Sequence, residues 1–443
     1  FNDGNSNDIG HVRVFKNNSG IWEQIGDDIN GEAENDYFGN SVSLNSDGSI
    51  VAIGTPYNDE NGTSAGHVRV FKNNSGTWEQ IGNDIDGEAE NDSSGETVSL
   101  SSDGSVVAIG APFNDGNGDD AGHVRVFKNN SGTWEQIGND IDGEAGNDSS
   151  GESVSLSSDG SVIAIGAPFN NGNGDDAGHV RVFKNNSGTW EQIGDDIDGE
   201  AIGDRFGWSV SLSSDGSVVA VGASHNDGNG TNAGHVRVFK NNSGTWEQIG
   251  NDIDGEAAID ISGWSVSLSS DGSVVGVGAI WNDGNGTNAG HVRVFKNNSG
   301  TWEQIGNDID GEAIGDHFGW SFSLSSDGSV VAIGASYNDR NGSDSGNVRV
   351  FQHDVILGIF ETQHKLDTSI YPNPTNNSFL VKSEKLKIES ITISDITGKE
   401  IINCKSKIVN NGFEIDLSNL ESAVYIIIIQ TEKGVFATKI LKI

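Results

Sequence analysis

Two loop patterns in this chain set oxygen atoms where a hard cation could use them. Asp84-x-Asp86-x-Glu88 and Asp115-x-Asn117-x-Asp119 place carboxylates and an amide at alternate positions of Gly- and Asn-rich segments, as a Ca2+ ligand set would require. The plainer reading is a set of solvated turns, chosen for backbone freedom and solubility. Asn171 stands where Asp115 stands one copy earlier, which argues against a dedicated cage. A third pattern is aromatic. Trp208, Trp264 and Trp320 follow a Phe-Gly or Ser-Gly step at a constant interval, where other copies carry Asn40, Glu96 and Glu152. A position that accepts Asn or Glu lies near solvent, so the tryptophans read as an aromatic arc able to stack on sugar rings or grip a protein. Trp281, His225 and His317 fall near the same face. Packing between repeats is the alternative role for the same rings. His11, His67, His123, His179, His235 and His291 occur once per copy. Neighbouring copies are too far apart to share an ion at about 2 Å, so these histidines read as strand-end spacers. No nucleophile, base and orienting acid assemble along the chain, so an enzyme is not expected.

The segments that must position these residues differ sharply in charge. The chain has 443 residues, with 65 Asp or Glu against 25 Lys or Arg, a net charge of −40. Residues 1–351 hold a net −39 and 58 of the 62 glycines, whereas residues 352–443 are nearly neutral. Such a surplus of acid repels phosphate backbones and anionic lipid surfaces, which excludes nucleic acid and basic-patch membrane binding. Cys404 is the single cysteine, so no internal disulfide can staple the fold. The longest apolar run, residues 423–429, is far too short for a membrane-spanning helix. The chain opens at Phe1 without an initiator Met or a signal-peptide pattern, which reads as a processed or truncated product.

The first segment is a repeat. Gly-His-Val-Arg-Val-Phe starts at Gly10, Gly66, Gly122, Gly178, Gly234 and Gly290, and Gly346 opens a seventh, altered copy, always 56 residues apart. Each copy reads as four short strands. Taking one copy, strand a is residues 97–100, Ser-Ser-Asp-Gly turns the chain, strand b is 105–111, strand c is 123–127 and strand d is 133–138 with Trp134. Trp22, Trp78, Trp134, Trp190, Trp246 and Trp302 recur in strand d and read as packing residues. Four antiparallel strands repeated six or seven times predict an all-β domain, a six- or seven-bladed β-propeller that hides its sheet edges by radial repetition. Two closures are open. A seven-bladed ring would take two strands from upstream of Phe1, and a six-bladed one would complete its last blade with the strand around Trp22. Alternating strand direction puts the long acidic loops on one face and the short turns on the other.

The motifs within each copy resemble the FG-GAP repeat of integrin-like and bacterial surface propellers. Phe38-Gly39, Phe206-Gly207 and Phe318-Gly319 carry the namesake dipeptide, and Gly110-Ala-Pro and Gly166-Ala-Pro complete the second element. The turn between strands a and b departs from the family, being too short for the calcium loop that many such repeats carry there. A 17-residue linker, 352–368, precedes a second domain, 369–443, whose strands suit a small β-sandwich. This segment resembles the C-terminal sorting domain of type IX secretion substrates of Bacteroidetes. The matching residues are Tyr371, Pro372, Asn373 and Pro374, then Asp395, Gly398 and Lys399, then Tyr425, and Lys439 in the closing stretch. The resemblance implies export by the type IX machinery, removal of the domain by a sortase-like protease, and display at the outer cell surface or release. Together these readings give a secreted propeller acting as a binding or adhesion module for a glycan or protein, with Ca2+ as the one cofactor to consider. A ligand-free surface spacer is the alternative, and a polysaccharide hydrolase or lyase a more distant one.

Overall fold

The computed structural model describes residues 8–352, 368–371, 375, 378–383, 388–394, 400–404, 408–409, 412–418, 420, 423–431 and 434–442. The chain divides into two compact units, Phe1–Val355 and Ile356–Ile443. Among the described residues there is no helix, hence none long and apolar enough to cross a membrane.

The first unit is a propeller of six blades. In one blade, Thr97–Leu100, Val106–Ala111, His123–Asn130 and Thr133–Gln136 pair antiparallel in chain order. A fifth strand, Ile141–Asp142, was not foreseen, because the acidic linker reads as irregular. It exists because strand d pairs only with the Phe127–Asn130 end of the longer strand c. The His123–Val124 end would otherwise leave its backbone groups bare, and Ile141–Asp142 pairs with it. Among the described residues the last blade has three strands, Phe322–Leu324, Val330–Ala335 and Asn347–Gln352. The strand around Trp22, Ile21–Gln24, does not complete it; that strand pairs with Phe15–Asn18 in a separate hairpin. Val42 and Leu44 in the first blade and Val348 in the last are 54%, 48% and 70% exposed, on faces that neighbouring blades cover elsewhere.

Blade stacking explains why the repeat reads as it does. Strand b is buried along its whole length, Val106–Ala111, because both faces of the sheet are covered, so its sequence is a continuous apolar run. Val106, Ala108, Val124 and Val126 of one blade meet Leu156, Ile163, Ile165 and Phe183 of the next. Each such large side chain contributes roughly 1.5–3 kcal/mol of burial. Hydrogen bonds fix the register between blades. The Leu156 amide donates to Ser99 Oγ at 3.0 Å, and Trp190 Nε1 donates to the Ile137 carbonyl at 2.8 Å, which bears out the packing role of the strand d tryptophans. The two motif glycines meet at the next boundary along the ring. Gly207 has φ +93°, and a Cβ on Gly166 would fall deep inside the van der Waals radius of the Gly207 carbonyl oxygen.

A buried aspartate locks the two long loops of each blade boundary together. Asp148 accepts from Asn170 Nδ2 at 2.9 Å and from the Ala145 amide at 3.0 Å. Among its described residues the second unit has two four-stranded antiparallel sheets. Thr368–Tyr371, Ser378–Ser383, Gly412–Asp416 and Ile408–Val409 form one, and Glu400–Cys404, Ile388–Ser394, Val424–Thr431 and Gly434–Leu441 the other. Phe379, Val381, Ile391, Ile415, Tyr425 and Ile427 fill the core of this unit, as a β-sandwich requires. Tyr371 and Lys439 lie in strands, whereas Pro372, Asn373, Pro374, Asp395, Gly398 and Lys399 fall outside the described residues.

Candidate functional site: an aromatic belt on the acidic face

Strand a of each blade is entered from the face that carries the long loops, and the residue that follows the motif glycine there lies beside its counterparts in the neighbouring blades. Trp208 and Trp264 have ring centroids 4.9 Å apart, and Trp264 and Trp320 5.1 Å apart, so the three rings form one continuous arc. Trp320 is 37% exposed, and Trp208 and Trp264 are half-buried. The two readings of these rings, contact across blades and a face toward solvent, are thus both satisfied by one geometry. The remaining positions of this row are polar. Asn40 Nδ2 donates to Glu96 Oε1 at 3.2 Å. Burial, reinforced by the Glu96 charge, pushes the Glu152 carboxyl up to about 7, and burial raises Glu96 as well. One side of the row is therefore aromatic and the other carries carboxylates that tend to hold protons.

A second row of rings was missed in the sequence apart from Trp281 and His225. The residue that ends the Gly-Ala-Pro element is Tyr57, Phe113, Phe169, His225, Trp281 or Tyr337, a ring in every blade. Four of these are more than a third exposed, Trp281 at 38% among them. The rows touch. Trp208 meets Phe169 edge-on at 6.4 Å and His225 at 6.3 Å, and Trp320 meets Tyr337 at 5.7 Å. Arg205 lies over Phe169, 5.2 Å from its centroid, and adds a cation–π contact. The signal was a fixed register at which the residue varied in identity and never in having a ring.

The loop residues first considered for Ca2+ are placed differently from one another. Asp84 and Asp86 gather with Glu60 and His67, whereas Glu88 belongs to a separate group with His123 and Asp140. The alternate spacing of 84, 86 and 88 therefore does not translate into one site. Asp115 Oδ1 accepts the Asp120 amide at 2.9 Å, and Asn117 Nδ2 donates to the Gly143 carbonyl at 2.7 Å. The Asp119 carbonyl accepts the Asn147 amide at 2.7 Å. These three residues brace their own loop against the following linker.

The histidines are not the isolated spacers that one residue per copy suggests. His123 lies with Glu88 and Asp140, His179 with Glu144 and Asp196, His235 with Glu200 and Asp252, and His291 with Glu256 and Asp308. Each of these histidines is nearly fully buried. The offsets are constant, the Glu standing 35 residues before and the Asp 17 residues after, as in 144, 179 and 196. The sequence hides these groups because the carboxylates that meet each histidine stand far from it along the chain and recur only with the 56-residue period.

The first unit is a repeat-built β-propeller with an aromatic and acidic face, and the second is a small sandwich appended to it. Residues 30–71, 197–239 and 309–351 match the FG-GAP repeat, and residues 369–443 match the secretion system C-terminal sorting domain. The chain is thus an FG-GAP propeller with a type IX sorting domain, destined for the cell surface or the exterior. No curated protein matches it. Among solved structures it resembles the periplasmic gluconolactonase PpgL of Pseudomonas aeruginosa, with a TM-score of 0.50 at 14% identity over 91% of this chain and 94% of that one. It also resembles a Bacteroides fragilis protein provisionally described as a 6-phosphogluconolactonase, with a TM-score of 0.52 at 14% identity over 79% of this chain and 88% of that one. At such identities the likeness is one of fold.

Proposed function

We propose that the propeller is a carbohydrate-binding module displayed at the cell surface, taking its ligand on the aromatic belt, with no catalytic step. The observation that carries this reading is the ring in every one of six blades, joined to the continuous Trp208–Trp264–Trp320 arc and left partly open to water. Exposed aromatic area on this scale is costly for a soluble domain unless something covers it. Flat rings stack on the apolar faces of sugars, and the neighbouring Glu96 and Glu152 supply acceptors for hydroxyl groups. The acidic surround favours neutral or cationic glycans over sulfated or uronic ones.

A surface spacer without a ligand is the second reading, favoured by the ring-to-ring contacts, which also stiffen the blade stack. Titration of the full chain with a panel of neutral, amino-bearing and acidic oligosaccharides, read by tryptophan fluorescence and calorimetry, separates the two. Binding of neutral or amino glycans with a changed tryptophan signal supports the module, and no binding across the panel supports the spacer.

A further inference from the structure

We propose that the Glu144–His179–Asp196 cluster, and its counterparts along the propeller, are binding sites for a borderline divalent transition metal ion of the zinc type, one ion per cluster. His179 Nδ1 lies 3.7 Å from Asp196 Oδ2 and 3.9 Å from Glu144 Oε2. Those separations are too long for hydrogen bonds. They are close to the spacing of two ligands on one ion, since ligand bonds of about 2.0–2.2 Å at tetrahedral angles put donor atoms roughly 3.3–3.6 Å apart. In each cluster the donor atoms, three in four of the clusters and four around His67, lie within 4.8 Å of one another, so closing even the widest separation takes about 1.5 Å at most, shared between two side chains.

A second observation is independent of the carboxylates. Both ring nitrogens of His179 are buried without a hydrogen-bond partner, and so is His67 Nδ1, in side chains 1% exposed. An orphaned buried polar atom is costly, and an ion held between the carboxylates and Nδ1 would give that nitrogen its missing partner. Burial, helped by the Arg181 charge, holds His179 down to about 4, so its ring is neutral and keeps a free lone pair at ordinary pH. The carboxylates provide the way in. Glu144 and Asp196 side chains are 44% and 31% exposed, and Glu144 borders a cleft of about 660 Å3 between blades.

The donor set selects the ion. One imidazole and two carboxylates, completed by water, suit zinc-type metals; Ca2+ needs six to eight oxygens that these clusters do not supply. Arg181 Nη1 stands 3.7 Å from Glu144 Oε1 and leaves Oε2 to face the imidazole, so Glu144 would ligate through one oxygen. Groups of this kind occur five times among the described residues.

Equilibrium dialysis of the chelator-stripped full chain against Zn2+ and against Co2+ tests the proposal, with bound metal measured by elemental analysis. The expected stoichiometry approaches five, with visible Co2+ absorption and no displacement by an equal concentration of Ca2+ or Mg2+. His179→Gln should lower the stoichiometry by one. Should that variant fail to fold, Glu144→Gln and Asp196→Asn alter exposed carboxylates and should each do the same. No binding, an unchanged stoichiometry in the folded variants, or displacement of Co2+ by Ca2+ would overturn the proposal.

Discussion

Glu152 should make the propeller less stable as the pH rises toward neutrality, and the size of the effect follows from its surroundings. Its carboxyl is moved from 4.5 to about 7 by burial and by Glu96, so the folded chain holds a proton that the unfolded chain has lost. For a group whose folded pKa is raised, the stabilisation is complete below the unfolded value and disappears as pH climbs through the folded one. A shift of that size corresponds to at most about 3 kcal/mol between pH ~4.5 and ~7. Buried histidines act in the opposite sense. His67, His179 and His291 are held down to about 4, so their contribution is present above the unfolded value near 6.5 and lost in acid. They are common to wild type and a Glu152→Gln variant and cancel in the comparison. Urea unfolding of both full-length proteins, followed by tryptophan fluorescence at pH ~5 and ~8, should show wild type losing about 1–3 kcal/mol relative to the variant at the higher pH. Parallel stabilities at the two pH values would refute the placement of Glu152 beside Glu96 in a poorly solvated row.

Two further substitutions test the backbone account. Ile259 adopts φ +72°, a left-handed conformation in which other blades place Asn91, Asn147, Gly203 or Gly315. Since its side chain is 54% exposed, Ile259→Asn should stabilise by about 1 kcal/mol, measured by chemical denaturation. Gly166→Ala should destabilise by about 3 kcal/mol in the same experiment, the upper end of a core overpacking defect, because the new Cβ meets the Gly207 carbonyl of the adjoining blade.

Much of this fold was legible because the repeat speaks twice, once through its period and once through its turns. Strands a, b, c and d were read from Asp-Gly and Ser-Gly turns flanking apolar runs, and the positive φ of Gly104 and Gly132 shows why those turns demand glycine. The Ile141–Asp142 strand was illegible, since two residues have no periodicity and their pairing depends on how far strand d reaches along strand c. Closure was equally hidden. Whether the Trp22 strand joins the last blade is a long-range matter, and its local hairpin partner prevailed. Of the site, the tryptophan arc was legible because it breaks the repeat. The second ring row and the histidine clusters were not, because one varies in identity while the other unites residues 35 and 17 positions apart.

Trp264 sits in the middle of the arc, touching both Trp208 and Trp320, and its replacement tests the binding role most directly. Calorimetric titration of the full-length wild type and Trp264→Ala with the tightest-binding oligosaccharide of the panel is the measurement. A lost stacking contact of about 1–3 kcal/mol predicts binding weakened roughly 5- to 150-fold, while Glu135→Ala, on the exposed outer strand, keeps wild-type affinity. Equal affinity in wild type and a folded Trp264→Ala variant would contradict the assignment of the aromatic belt as the ligand site.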